Sequence, residues 1–158
     1  MALVELLLPP LPAHVRTARL VVVAAARRAG LGDEHVDELR LAVGEACSRA
    51  VGLHAVHAPE VPVTVTISDD PARLTVTVAD IGPAAGPAPD DLLAGLIEGP
   101  GGGGDEAEPL VHPDVALAVL TGLVDGVQIV PGPSGTLITL HWPLPVGAAP
   151  GATAVSTT

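Results

Sequence analysis

The stretch LAVGEACSRAV, Leu41 to Val51, places Glu45 and Arg49 four residues apart inside a longer run, Asp33 to His54, with helical periodicity. Val36, Leu39, Val43, Ala46 with Cys47, and Ala50 follow one another at steps of three and four. That spacing predicts an amphipathic helix whose apolar stripe faces a core. Glu45 lies nine residues from Val36, about half a turn off the stripe at roughly 3.6 residues per turn. The pair is therefore expected to face away from the helix seam, with the Arg49 guanidinium against the Glu45 carboxylate. On an ordinary helix surface such a pair contributes about 0.2–0.5 kcal/mol. Its meaning depends on its surroundings.

Upstream, Ala13 to Ala29 has a helical pattern that AGLG, Ala29 to Gly32, brings to a stop, and Asp33 is expected to cap the next helix. Leu3 to Leu8 reads as a first strand closed by Pro9 and Pro10. Downstream, VPVTVTIS (Val61 to Ser68) and RLTVTVAD (Arg73 to Asp80) alternate with period two around the turn signal DDPA, which predicts a hairpin with one face on a core and one face wetter. GVQIVP and TLITLHW flank GPSG and predict a second hairpin. Between the hairpins, residues 83–112 form a long loop-like stretch with a short helix expected over Asp90 to Glu98, and a further helix is expected from Pro113 to about Val124. These elements make one domain, residues 1–142, followed by a disordered tail, 143–158. The fold class is α/β (α+β): a two-layer sandwich with a mixed, mostly antiparallel sheet covered by helices on one face.

Composition narrows the function. The chain of 158 residues carries a net charge of −11, and all seven of its basic residues are arginines. Phosphate backbones attract clustered cations, so direct nucleic-acid binding is not expected. Mean hydropathy is high at +0.51, yet the longest clean apolar run, Leu20 to Ala26, ends at Arg27 and Arg28. That is far short of the roughly 20 residues a membrane-spanning helix needs. The protein is expected to be soluble and cytoplasmic, with no membrane association. The single cysteine, Cys47, excludes an internal disulfide and fits the apolar stripe as a small buried side chain. His35, His54 and His57 read as surface histidines rather than a zinc site, so no metal is expected. Gly99 to Gly104 lacks the Lys and Ser/Thr that would follow in a P-loop.

The order of elements and three local motifs resemble the GHKL (histidine kinase-like) ATPase fold, and more narrowly the bacterial anti-sigma factor serine kinases. LPAHVRTAR at the start, DEHVDELRLAVGEACSRAV in the helix and LVDGVQIVPGPSGTLITL at the end carry the likeness, which runs from about Pro12 to Leu140. The family pattern there reads roughly LAVSEACTNAV, then DxGxG, then GxGL…LVDxVxxxxGPGGT. By this resemblance Glu45 stands at the general-base carboxylate, and Arg49 stands where the family keeps an Asn that binds Mg²⁺. Asp80 and Gly82 match the adenine-reading aspartate and the first glycine of the second motif, while Ala84 replaces its second glycine. Asp114 and Ala116 replace the two glycines of the third motif. The adenine corner matches better than the phosphate corner.

The resemblance implies a protein that sequesters a sigma factor or binds an anti-anti-sigma (STAS-domain) protein, with ATP as the family ligand and homodimers common among its members. An arginine cannot coordinate a metal, because it offers only donors, but in the nucleotide pocket that the resemblance implies Arg49 could also bind the cofactor by clasping a phosphate in bidentate fashion. Mg²⁺ binding is therefore not expected, Glu45 is expected to be vestigial as a base, and kinase activity is expected to be severely reduced. Residues 83–112 occupy the place of the family's lid over ATP. The helix with Arg16, Arg19, Arg27 and Arg28 is the candidate partner-contact element. The alternative is an active serine kinase that binds ATP with substituted ligands such as Asp114, and a third reading is an adaptor that has lost nucleotide altogether.

Overall fold

The computed structural model describes residues 3–82, 120–122, 124 and 126–145. Its elements are β1 (Leu3–Leu8), α1 (Pro12–Ala29), α2 (Asp33–His57), β2 (Val63–Asp70), β3 (Arg73–Asp80), β4 (Gly126–Gly132) and β5 (Gly135–Pro143). The five strands form one sheet in the order β1-β2-β3-β5-β4, and every neighbouring pair is antiparallel. The expected mixed sheet thus has no parallel pair among the described strands. The helices expected over 90–98 and over most of 113–124, the lid-like stretch 83–112, and the tail beyond 145 lie outside the described residues.

Local chemistry accounts for the ends of α1. Pro12 sits in its first turn, where a missing N–H costs nothing. Gly30 closes it at φ 93°; Leu31 N–H donates to the Ala26 carbonyl and Gly30 N–H to that of Arg27, the paired bonds of a Schellman stop. Arg27 and Arg28 in the last turn suit the negative end of the helix dipole. At α2 the cap position is Gly32, with Asp33 the first helical residue and no side-chain cap bond. Asp33 and Glu34 still favour that end by their charge.

The alternation read in the strands sets the layers. Val63, Val65 and Ile67 of β2, Leu74, Val76 and Val78 of β3, and Ile138, Leu140 and Trp142 of β5 are all buried, while Thr64, Thr66, Thr75 and Thr77 face the other way and keep partial exposure. α1 inserts Val15, Ala18, Val22 and Ala26 into this core, and α2 adds Val36, Leu39, Val43, Ala46, Cys47 and Ala50. The buried band of α2 is broader than the stripe seen in the sequence, because one side of the helix meets α1 and another meets β2 and β3. Ala18 and Gly44 are both buried, and Gly44 lies against Arg19 of α1.

Both hairpins have two-residue loops, Pro71–Ala72 and Pro133–Ser134. In the first, the Asp70 carboxylate accepts the Ala72 N–H at 2.8 Å, an Asx-type turn. The expected domain boundary at 142 falls inside β5: Pro143 is its last residue, and the next residue, Leu144, is buried and donates its N–H to the Ala72 carbonyl. The two edges of the sheet differ. β4 carries Pro131, which has no N–H to offer, whereas β1 has no proline and one charge, Glu5.

Candidate functional site

The C-terminal half of α2 passes over the end of β3, and there the sequence-predicted residues part company. Arg49 turns toward the sheet instead of lying against Glu45: its Nη1 donates to Asp80 Oδ2 at 2.7 Å. The two side chains are 0% and 1% exposed. Glu45, one turn earlier, is half-buried and has no ion pair with Arg49. The expected Glu45–Arg49 pair is therefore replaced by a buried Arg49–Asp80 pair. Residues four apart on a helix are always near one another, but the end of β3 offers Arg49 a desolvated carboxylate, and a charge-assisted bond is stronger in such a place.

Asp80 is held from several directions. It is the last residue of β3 and faces inward, opposite Thr136 of β5 in the register. Its Oδ1 accepts the Gly82 N–H at 3.0 Å and the Thr136 N–H at 3.4 Å, while Oδ2 takes Arg49. Arg49 Nε and Nη2 and Thr136 Oγ1 are buried without a hydrogen-bond partner among the described residues. The hairpin of β4 and β5 closes tightly on this corner. Gly135 adopts φ 141°, and a Cβ there would overlap the Asp80 carbonyl oxygen, so only glycine fits.

His54 fixes the same corner from below, and the sequence reading missed it. Far from lying on the surface, it is 1% exposed. Its Nδ1 is 2.8 Å from the Val61 carbonyl oxygen, and its Nε2 accepts the Ile81 N–H at 2.9 Å. A carbonyl only accepts, so Nδ1 carries the proton in this arrangement. The ring thus ties the end of α2 to the Asp80–Ile81–Gly82 turn and to the approach to β2. The signal was present: His54 follows Ala50 by four residues on the buried stripe. His57 is exposed, as expected.

Two further features lie on α2. Arg19 of α1 lies over Gly44, where a Cβ would overlap its guanidinium, and its Nε is buried without a partner. Cys47 is fully buried, and desolvation pushes its thiol from 9.0 up to about 12, with the Arg19 charge pulling the other way. Such a thiol is inert at neutral pH. Among the described residues no group of three or more His, Cys, Asp or Glu side chains is placed to hold a metal ion. No helix among them is long and apolar enough to cross a membrane. Ala84, Asp114 and Ala116 lie outside the described residues.

On the far side of α1, Arg16, Arg19, Leu20, Val23 and Arg40 line a groove of about 310 Å³. Leu20 is 64% exposed there. Arg16, Arg27 and Arg28 are exposed as well, with Arg27 beside Asp33 at 4.0 Å. A strongly acidic molecule thus carries much of its positive charge on one helix.

Comparison with known proteins agrees with this architecture. Over 85 residues the chain is 36% identical to the serine-protein kinase RsbW of Bacillus pumilus (strain SAFR-032), an overlap of 51% of each protein. The chain thus spans about half the length of that curated relative. A crystal structure of the RsbU and RsbW domains of a Mycobacterium tuberculosis protein superposes with a TM-score of 0.61 at 17% identity, covering 89% of this chain and 32% of the other, and shows the same fold. The family model described as histidine kinase-like ATPase domain matches residues 8–142, from the end of β1 into β5, and the chain belongs to that family.

Proposed function

We propose that this protein is a regulator of the anti-sigma type, which acts by gripping a sigma factor or an anti-anti-sigma (STAS-domain) protein rather than by phosphorylating it. The observation that carries the reading is the buried Arg49–Asp80 pair. Arg49 stands where the resemblance expects a metal-binding Asn, and a guanidinium has only donors to offer. Metal stabilisation of a transferring phosphoryl group supplies several kcal/mol, and each ~1.4 kcal/mol lost is about tenfold in rate. Kinase turnover by this site is accordingly negligible.

The partner surface in this reading is α1. Its outward arginines and exposed Leu20 form a cationic, partly apolar strip that complements an acidic helical surface. A second reading, an active serine kinase, draws on Glu45: with Arg49 turned away, its carboxylate is not consumed by an ion pair with that arginine.

One experiment separates them. Purified protein is mixed with a candidate sigma factor and, separately, with a STAS-domain protein; complex formation is followed by calorimetry and phosphate transfer with radiolabelled ATP. Complex formation without label transfer, weakened by Arg16→Glu with Leu20→Asp, is the expected result. Label transfer to a serine of the STAS protein that Glu45→Ala abolishes would establish the kinase instead.

A further inference from the structure

The family ligand and the base corner of this chain do not fit one another. In the resemblance, Asp80 is the group that accepts a hydrogen bond from the amino group of adenine. Here Asp80 Oδ2 accepts that kind of bond from Arg49 Nη1 at 2.7 Å, and Oδ1 is taken by the Gly82 and Thr136 N–H groups. The carboxylate is 1% exposed. Three donors of the chain already take up the carboxylate, so the amino group of an incoming purine has to compete with Arg49 for Oδ2.

Arg49 is also poorly matched to the corner it fills. A guanidinium has five N–H donors, yet among the described residues only Nη1 is engaged, while Nε and Nη2 are buried without partners, as is Thr136 Oγ1 across the register. Each buried group stranded in this way is destabilising. A side chain placed purely for stability would bind a carboxylate through both arms of its fork. One donor on one carboxylate oxygen, with polar atoms left over around it, is the pattern of a guest in a corner shaped for something else.

We propose that Arg49 is a built-in occupant of the base corner. Its guanidinium takes the place of a purine's amino edge on Asp80, so that adenine compounds are excluded by the chain's own side chain. Removing that side chain reopens the corner to them. The proposal deepens the non-phosphorylating reading above at the same site. Its test uses no protein partner and no phosphate transfer, so either can fail without the other.

The test uses adenosine, which probes the base corner without phosphates or Mg²⁺, and inosine, which carries a carbonyl where adenosine carries the amine. Thermal unfolding and calorimetry are run on the full chain, wild type and Arg49→Ala. The wild type shows no shift with millimolar adenosine. Arg49→Ala melts lower, and adenosine raises its Tm saturably by several degrees. Inosine binds the variant at least about tenfold more weakly, the ratio a charge-assisted hydrogen bond supplies. Should Arg49→Ala fail to fold, Arg49→Asn takes its place, and refolding of either variant in the presence of adenosine or of low-millimolar guanidinium ion is the added readout. Adenosine binding to the wild type as tightly as to the variant overturns the proposal. So does a folded variant indifferent to adenosine, or variants that neither adenosine nor guanidinium restores.

Discussion

Arg49 and Asp80 are 31 residues apart in the chain and 2.7 Å apart in the fold, with neither side chain open to solvent. Breaking such a pair from one side leaves an uncompensated buried charge, which costs about 3–5 kcal/mol. Asp80→Ala should cost more than Arg49→Met, because it also strands the Gly82 and Thr136 N–H groups. The double variant Arg49→Met/Asp80→Ala should lose less than the two single losses added together. Urea unfolding of the four proteins gives the coupling directly; strict additivity would mean the pair is not coupled in solution.

His54 makes a sharper case for a structural histidine. His54→Phe keeps an aromatic side chain but strands the Ile81 N–H and the Val61 carbonyl, at about 1–3 kcal/mol for each group. Amide exchange at Ile81 should accelerate in this variant well beyond any change at the middle of β3. Unchanged protection at Ile81 would show that the ring does not hold that turn.

Helix and strand placement were legible in the sequence because they rest on local periodicity. The stripe from Val36 to Ala50 marked α2, and the alternation in VTVTIS and RLTVTV marked β2 and β3 with their inward faces. The turns at Pro71 and Pro133 were equally plain. The partner of Arg49 was not legible: an i,i+4 rule sees only the helix, while Asp80 reaches the site through the sheet. His54 was misplaced for a different reason. Its residue type suggested a surface, although its position on the stripe pointed inward, and the carbonyl and amide that satisfy it come from two other segments.

Cys47 ties stability to alkaline pH. Its folded-state pKa, about 12, lies above the ordinary 9.0, so the thiol contributes fully below about pH 9 and that contribution is lost as pH rises toward 12. The gap corresponds to roughly 4 kcal/mol at its limit. Native protein should resist alkylation at pH 8 and react only on unfolding. Cys47→Ala should flatten the stability loss between pH 9 and 11; an unchanged slope would assign that loss to other groups.

Trp142 is the only aromatic side chain of the FWY class, so intrinsic fluorescence reports on one place. Its indole N–H donates to Glu38 Oε1 at 2.8 Å, joining β5 to the first half of α2 across 104 residues. Glu38→Ala strands a buried donor and should destabilise by about 1–3 kcal/mol. The emission of the folded variant should shift measurably, whereas Glu34→Ala, on the exposed side of the same helix, should leave it alone. A silent Glu38→Ala spectrum would show that the bond is not kept in solution.

The unequal edges of the sheet bear on how the molecule behaves when crowded. An edge strand is a row of open hydrogen-bonding groups that another chain can extend into a ribbon. β4 is blunted by Pro131, but β1 presents six residues of which five are apolar, with Leu3 and Leu7 turned outward at 70% and 59% exposure. Among the described strands, self-association through the sheet is therefore directed to β1. Glu5, at the middle of the strand, is the gatekeeper that sets like charges against one another whenever two such edges align in register.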